Sequence, residues 1–301
     1  VTDLATTVDA RDALPQRPGR RRAPWSLLGV VPFFAFALMF LVIPTTYLVV
    51  GSFQDEAGHL TAQNYLDLTQ PRPANAYMVS IEISLVTAIL GGILGFLLAY
   101  AVISGGLPRP LRTVVMTFSG VASNFAGVPL ALAFMFTIGR TGFISVFLKT
   151  VLGWDIYGSG FTIYSKLGLE IVYLYFQLPL MVLIIAPAID GLKKEWREAS
   201  ENAGASTFQY WRHIALPILM PSLLGSMILL FGNSFGAQAT AFALTGGFIP
   251  LVTILIGSQL SGDTLGNQNL GYALAMGMVA IMGVTLVAYS WLSRRAERWQ
   301  R

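Results

Sequence analysis

Six apolar runs punctuate this chain, each at or beyond the roughly 20 residues that a helix needs to cross a bilayer. They cover about 25–50, 77–104, 114–138, 167–189, 214–237 and 270–292. Lipid offers no partner for backbone N–H and C=O groups, so each run must satisfy its own by forming a helix. The expected fold class is therefore all-α: a polytopic membrane protein with six transmembrane helices. Charged residues make up only 11% of the chain, against about 25% in soluble domains, so the bilayer is its main surroundings. Two further apolar stretches are too short to span. Phe143, Ile144, Phe147, Leu148, Val151 and Leu152 are expected on one face of an interfacial helix, and Ile249–Ile256 is the second stretch. The run Gly91-Gly92-Ile93-Leu94-Gly95 would let another helix approach the second span closely.

The basic residues orient the spans. With the amino terminus inside, the inner segments hold 15 of the 19 Lys and Arg; the outer segments hold Arg72, Arg140, Lys149 and Lys166. This is the positive-inside asymmetry, and it places both termini in the cytoplasm. It also accounts for the net charge of +4 without any nucleic acid. Residues 1–24 read as a disordered basic tail and 293–301 as a second one. There are no cysteines, so disulfides and thiolate metal sites are excluded. His59 and His213 lie far apart, and neither a metal nor another cofactor is expected. No Ser/His/Asp set or paired intramembrane carboxylates suggest an enzyme. No G-x-x-x-x-G-K-[ST] pattern occurs, so any ATP that drives the protein is bound by another chain.

The most polar long segment between two spans is 189–217. Ile189, Leu192, Trp196, Ala199 and Ala203 recur at steps of three and four, with most charges off that face. Gly204 follows the last of them, where a helix commonly ends in a left-handed residue. Ser206 then opens a second helix, with Gln209 three residues on as a capping box requires. The segment is expected to run helix, bend, helix, then span.

Its spacing carries a resemblance. Glu198 and Ala199 are followed by Gly204, then Ile214, Leu216 and Pro217, with Ser200 where a second alanine would stand. This resembles the EAA loop of binding-protein-dependent ABC importer permeases. The resemblance extends over a five-span core, about 77–292, with the span at 25–50 in front. It implies the type I importer permease fold and a bacterial inner-membrane location. It also implies four kinds of neighbour: ATP-binding cassette ATPase subunits, a second permease subunit (a heterodimer or a homodimer), an extracytoplasmic solute-binding protein and the lipid bilayer. The loop would dock on the ATPase through Trp196, Glu198, Ala199, Ser200, Ala203 and Gly204, with Ile214, Leu216 and Pro217 leading into the fifth span. The layout most resembles the spermidine/putrescine permeases. A sugar or oligosaccharide permease of the same superfamily, and an ATP-independent transporter or channel, are the alternatives.

Four polar residues within spans are candidates for the solute path: Glu82, Asn124, Glu170 and Asn233. Ionisable groups in lipid are costly and tend to face cavities or partners. Two readings of the glutamates stand: groups wetted at the outer interface, or an acidic vestibule for a cationic solute. The asparagines read as helix-packing hydrogen bonds or as solute ligands.

Overall fold

The computed structural model describes residues 30–261 and 267–297. The expected tail 1–24, the first residues of the first expected span and residues 298–301 lie outside them. The chain divides into two units, residues 1–47 and 48–301. Among the described residues helices build the fold, and the one β-type contact is a lone antiparallel bridge between Gln54 and Leu60.

The first unit carries most of helix α1, Val31–Ser52. The second begins with α2, Gln63–Asp67, and the long α3, Pro71–Ser104. There follow α4, Arg109–Asn124; α5, Val128–Ile138; α6, Phe143–Val151; and α7, Lys166–Asp190. Then come α8, Lys194–Asn202; α9, Thr207–Phe235; α10, Ala239–Thr245; α11, Val252–Leu260; and α12, Gln268–Glu297. Among the described residues six stretches are long and apolar enough to cross a membrane: α1, α3, Val128–Val151, α7, α9 and Gln268–Trp291.

The third of these corrects the expectation of one span over 114–138. Helix α4 stops at Asn124, Gly127 turns left-handed at φ 75°, and α5 restarts with a proline in its first turn. A left-handed residue ends a helix, and Pro129 is readily accommodated in the first turn of the next. Helix α4 lies against α7, whereas α5 lies against α10. Helix α6 forms as expected, with Phe143, Ile144, Phe147 and Val151 exposed along it. Residues Ile249–Ile256 take a different course from a surface stretch. Ile249, Leu251, Val252 and Leu255 are buried, and α11 packs on α12 and α3.

Helices α3, α7 and α9 form the centre. The glycine run decides how close they come. A Cβ on Gly95 would fall 2.6 Å from the Met181 Cβ and 2.9 Å from the Leu178 carbonyl oxygen, and one on Gly91 2.8 Å from the Gln177 Cβ. Gly92 faces the other way, against Met227 of α9. Without hydrophobic drive between helices in lipid, such backbone approach supplies the dispersion contacts that hold a bundle. Buried hydrogen bonds add to it: Thr87 Oγ1 with Ser234 Oγ at 2.9 Å, and Gln177 Nε2 donating to the Leu230 carbonyl at 2.9 Å.

Two π-type turns have a shared cause. They occupy Leu38–Val42 and Trp211–Ala215, and each ends one residue before the residue that precedes a proline, Pro44 and Pro217. A proline ring collides with the carbonyl four residues back, here of Phe40 and His213. Widening the turn lets Ile43 N–H reach Leu38 O and Leu216 N–H reach Trp211 O, five residues back, so both helices continue past the proline.

Candidate functional site

The segment 189–217 folds as two helices, but the apolar face expected from Ile189 to Ala203 is not one face. Ile189 belongs to the end of α7, and Gly191–Lys193 turn the chain before α8 starts. The turn shifts the helical phase. On α8, Ser200 points inward and is buried, Trp196 is half-buried, and Ala199 and Ala203 are exposed. Ala203, at the end of α8, is open to the surface.

The bend follows the local chemistry. Gly204 is left-handed at φ 79°. Its N–H reaches Glu201 O at 2.9 Å, and the Ala205 N–H reaches Ser200 O at 2.9 Å. Together these bonds make a Schellman cap, which satisfies two carbonyls that the helix end would leave orphaned. Ser206 and Gln209 form the capping box: the Gln209 N–H donates to Ser206 Oγ at 3.3 Å, and the Ser206 N–H to Gln209 Oε1 at 2.7 Å. Two consecutive caps leave the linker between α8 and α9 little freedom.

The hairpin is tied to the spans on both sides. Helix α9 runs from Thr207 to Phe235, so the second arm of the loop and the fifth span are one helix. Trp211 stands edge-on to Tyr100 (centroids 4.8 Å apart, 85°) and to Phe96 (6.3 Å, 84°) of α3. Aromatic contacts of this kind are worth about 0.5–1.5 kcal/mol each beyond burial. On the other side, Arg112 Nη2 of α4 meets Asp190 Oδ2, the last residue of α7, at 2.6 Å. Ile214 and Leu216 are half-buried, and Pro217 is exposed. Along α8, Arg197 pairs with Glu201 at 2.9 Å, and the Lys193 ammonium sits 5.7 Å from the Trp196 ring centroid. What remains outward is a strip of Glu195, Glu198, Ala199 and Asn202, all exposed.

The path candidates separate into one cluster and two isolated residues. Glu82 of α3 forms an ion pair with Lys166 at the start of α7. Glu170, one turn along α7, lies within electrostatic reach of both. Asn124 ends α4, is exposed, and folds its amide back onto the Gly120 carbonyl at 2.9 Å. Asn233 is exposed on α9, beside the buried Ser234. Among the described residues no hydrogen bond joins either asparagine to the glutamates.

Two contacts between helices could not be read from the sequence. Lys166 was one turn from Glu170 and so was available as an i,i+4 partner, but its contact with Glu82 spans two helices. The Arg112–Asp190 pair joins residues 78 apart and leaves no local signal. Gln177 is fully buried, with its Nε2 bonded and its Oε1 without a hydrogen-bond partner.

Known proteins resemble the chain along most of its length. The model of the family described as binding-protein-dependent transport system inner membrane component matches residues 91–298. The sulfate transport system permease protein of Salmonella typhimurium is 27% identical over 229 residues, 75% of this chain and 77% of that protein. The spermidine/putrescine transport system permease protein of Haemophilus influenzae is 24% identical over 273 residues, 87% of this chain and 92% of that protein. A chain of a bacterial ABC transporter involved in the import of the acidic polysaccharide alginate superposes with a TM-score of 0.70 at 16% identity, covering 90% of this chain and 96% of that one.

Proposed function

The chain belongs to the binding-protein-dependent transport system inner membrane components, and from that premise we propose how its parts serve an importer. It is a multi-pass membrane permease component of an ABC importer, a transport protein and not an enzyme. In our reading, the hairpin α8–α9 is the surface on which an ATP-binding cassette subunit docks. One observation carries this: α9 is held against α3 by Trp211 at the base of the hairpin, while α8 presents the strip Glu195, Glu198, Ala199 and Asn202 outward. A permease without a nucleotide site can be driven only by a partner whose contacts differ between states. A hairpin that is continuous with a span transmits such a difference.

The positive-inside asymmetry supports a cytoplasmic hairpin and cytoplasmic termini in a bacterial inner membrane. The remaining partners we propose are a second permease subunit, identical or not, and an extracytoplasmic solute-binding protein. For the solute we propose a small cation of the polyamine class. Glu82 and Glu170 set two carboxylates against the one ammonium of Lys166, and this local excess of negative charge favours cations.

Reconstitution tests both parts. Glu198→Arg should leave the permease inserted and abolish ATP hydrolysis stimulated by the loaded binding protein; full stimulation would refute the docking surface. Glu82→Gln with Glu170→Gln should slow uptake of labelled putrescine and leave stimulated hydrolysis near normal. Unchanged uptake, or uptake of sulfate and not putrescine by the unmodified protein, would refute the cation assignment.

A further inference from the structure

A cavity of about 450 Å³ opens beneath α8, between it and the ends of α3, α4 and α7. Arg112, Lys193, Lys194 and Arg197 line it, against the single carboxylate of Asp190, and the Trp211 indole forms part of its wall. Four cations border one space; Arg112 is paired with Asp190 and Arg197 with Glu201, so the local positive excess comes from Lys193 and Lys194. Helix α8 begins here. Its N-cap, Lys193, provides no side-chain acceptor, so the first N–H groups of a nine-residue helix add to the positive field. The cavity takes the Lys194–Arg197 side of α8, while Glu195, Glu198 and Asn202 lie about 100° further round. A ligand in the cavity and a partner on the outward strip can therefore coexist.

We propose that this cavity binds a phosphate-bearing anion, with Lys194 and Arg197 as its principal contacts and Arg112 closing it from α4. The size admits a phosphodiester headgroup. The position, at the ends of three spans and bordered by an indole, matches the basic interhelical pockets that receive anionic lipids. Occupied, the site cross-links α8 to α4 through the ligand and stiffens the base of the hairpin. Binding is a property of this chain alone and does not depend on the docking surface proposed above.

The test uses the full chain purified in detergent and native mass spectrometry. Phosphatidylglycerol and phosphatidylcholine are offered in equal amounts, and inorganic phosphate is offered separately while Lys194 is titrated with an amine-acylating reagent. Phosphatidylglycerol should be retained in preference, one molecule of it should be lost in a Lys194→Gln/Arg197→Gln variant, and it should be kept in Arg109→Gln, whose charge lies outside the cavity. That pattern identifies a lipid headgroup. No lipid preference, with phosphate shielding Lys194 in the unmodified protein and failing to do so in Arg112→Gln, identifies a free phosphate. Equal retention of both lipids without shielding, or equal loss in Arg109→Gln, overturns the site. The substituted residues are solvent-exposed or half-exposed, so the fold is not at stake, and circular dichroism of each variant verifies this.

Discussion

Gly204 offers the sharpest test of how the hairpin is held. At φ 79° it occupies a region closed to most side chains, yet a Cβ placed there would meet nothing within 4 Å. Space and backbone strain are thus separated at one residue. An alanine should cost only the left-handed penalty, about 1–2 kcal/mol, with no clash to add. Asparagine, which tolerates this region, should cost a fraction of that, and β-branched valine more than alanine. A penalty of about 1–2 kcal/mol changes a two-state ratio by roughly 5–30-fold.

Two readouts follow the bend and its consequence. The amides of residues 204 and 205 make the two Schellman bonds, so their hydrogen exchange reports how often the cap opens. In Gly204→Ala, exchange at both should accelerate by roughly 5–30-fold, less in Gly204→Asn and more in Gly204→Val. ATP hydrolysis stimulated by the loaded binding protein should fall in the same order. If asparagine impairs hydrolysis as severely as valine while its amides stay protected, the residue matters because a partner approaches it closely, and the strain argument fails. If alanine leaves exchange unchanged, the cap does not hold the bend.

Three other outcomes can be checked. Gly95→Ala should lower the thermal stability of the detergent-solubilised protein by about 1–3 kcal/mol, since its methyl would overlap Met181 and the Leu178 carbonyl; Gly120→Ala, with open space around it, should be neutral or stabilise by about 0.5–1 kcal/mol. A cysteine replacing Asp67 should react with an impermeant thiol reagent applied outside intact cells and one replacing Glu195 should not; the reverse pattern would invert the orientation. Trp211→Ala should cost about 1–3 kcal/mol through its two ring contacts with α3 and should unlock the hairpin without preventing insertion, read as faster amide exchange over 194–210.

The features legible in the sequence are those set by a residue's own neighbours. Five of the six spans, the short helix at α6, the glycine at the bend and the Ser206–Gln209 box all rest on spacings of a few residues, and each is found. The break after Asn124 was also local: Asn124, Gly127 and Pro129 spell a helix end and a restart. The apolar run masked it, because hydropathy averaged over a span does not register a three-residue interruption. The phase error over 189–203 has a similar origin. A period of 3.6 was carried through Gly191, where the chain had already turned, so Ile189 and Leu192 do not continue the face of Ala199 and Ala203. Contacts such as Glu82 with Lys166 or Arg112 with Asp190 were out of reach for a different reason. Each depends on which helices become neighbours, and the glycines that fix the α3–α7 approach state only that some helix comes close.

That distinction bears on how the permease works. The local devices around α8 (two caps, one left-handed glycine) make the hairpin a stiff unit. The long-range ones, Trp211 against α3 and Arg112 against Asp190, decide which spans it moves. The aromatic contact is half-buried and insensitive to salt, whereas the ion pair is more than a third exposed on each side and of the kind worth about 0–1 kcal/mol. The aromatic contact between α9 and α3 is therefore the stronger of these two links, and the ion pair adds little to the packing that already holds α4 on α7. A displacement of α9 would act on the adjoining end of α3 through Trp211. Helix α4 is the element whose far end is broken at Gly127. Rigidity is thus concentrated where α3, α7 and α9 pack on one another, and the hairpin is continuous with that centre through α9.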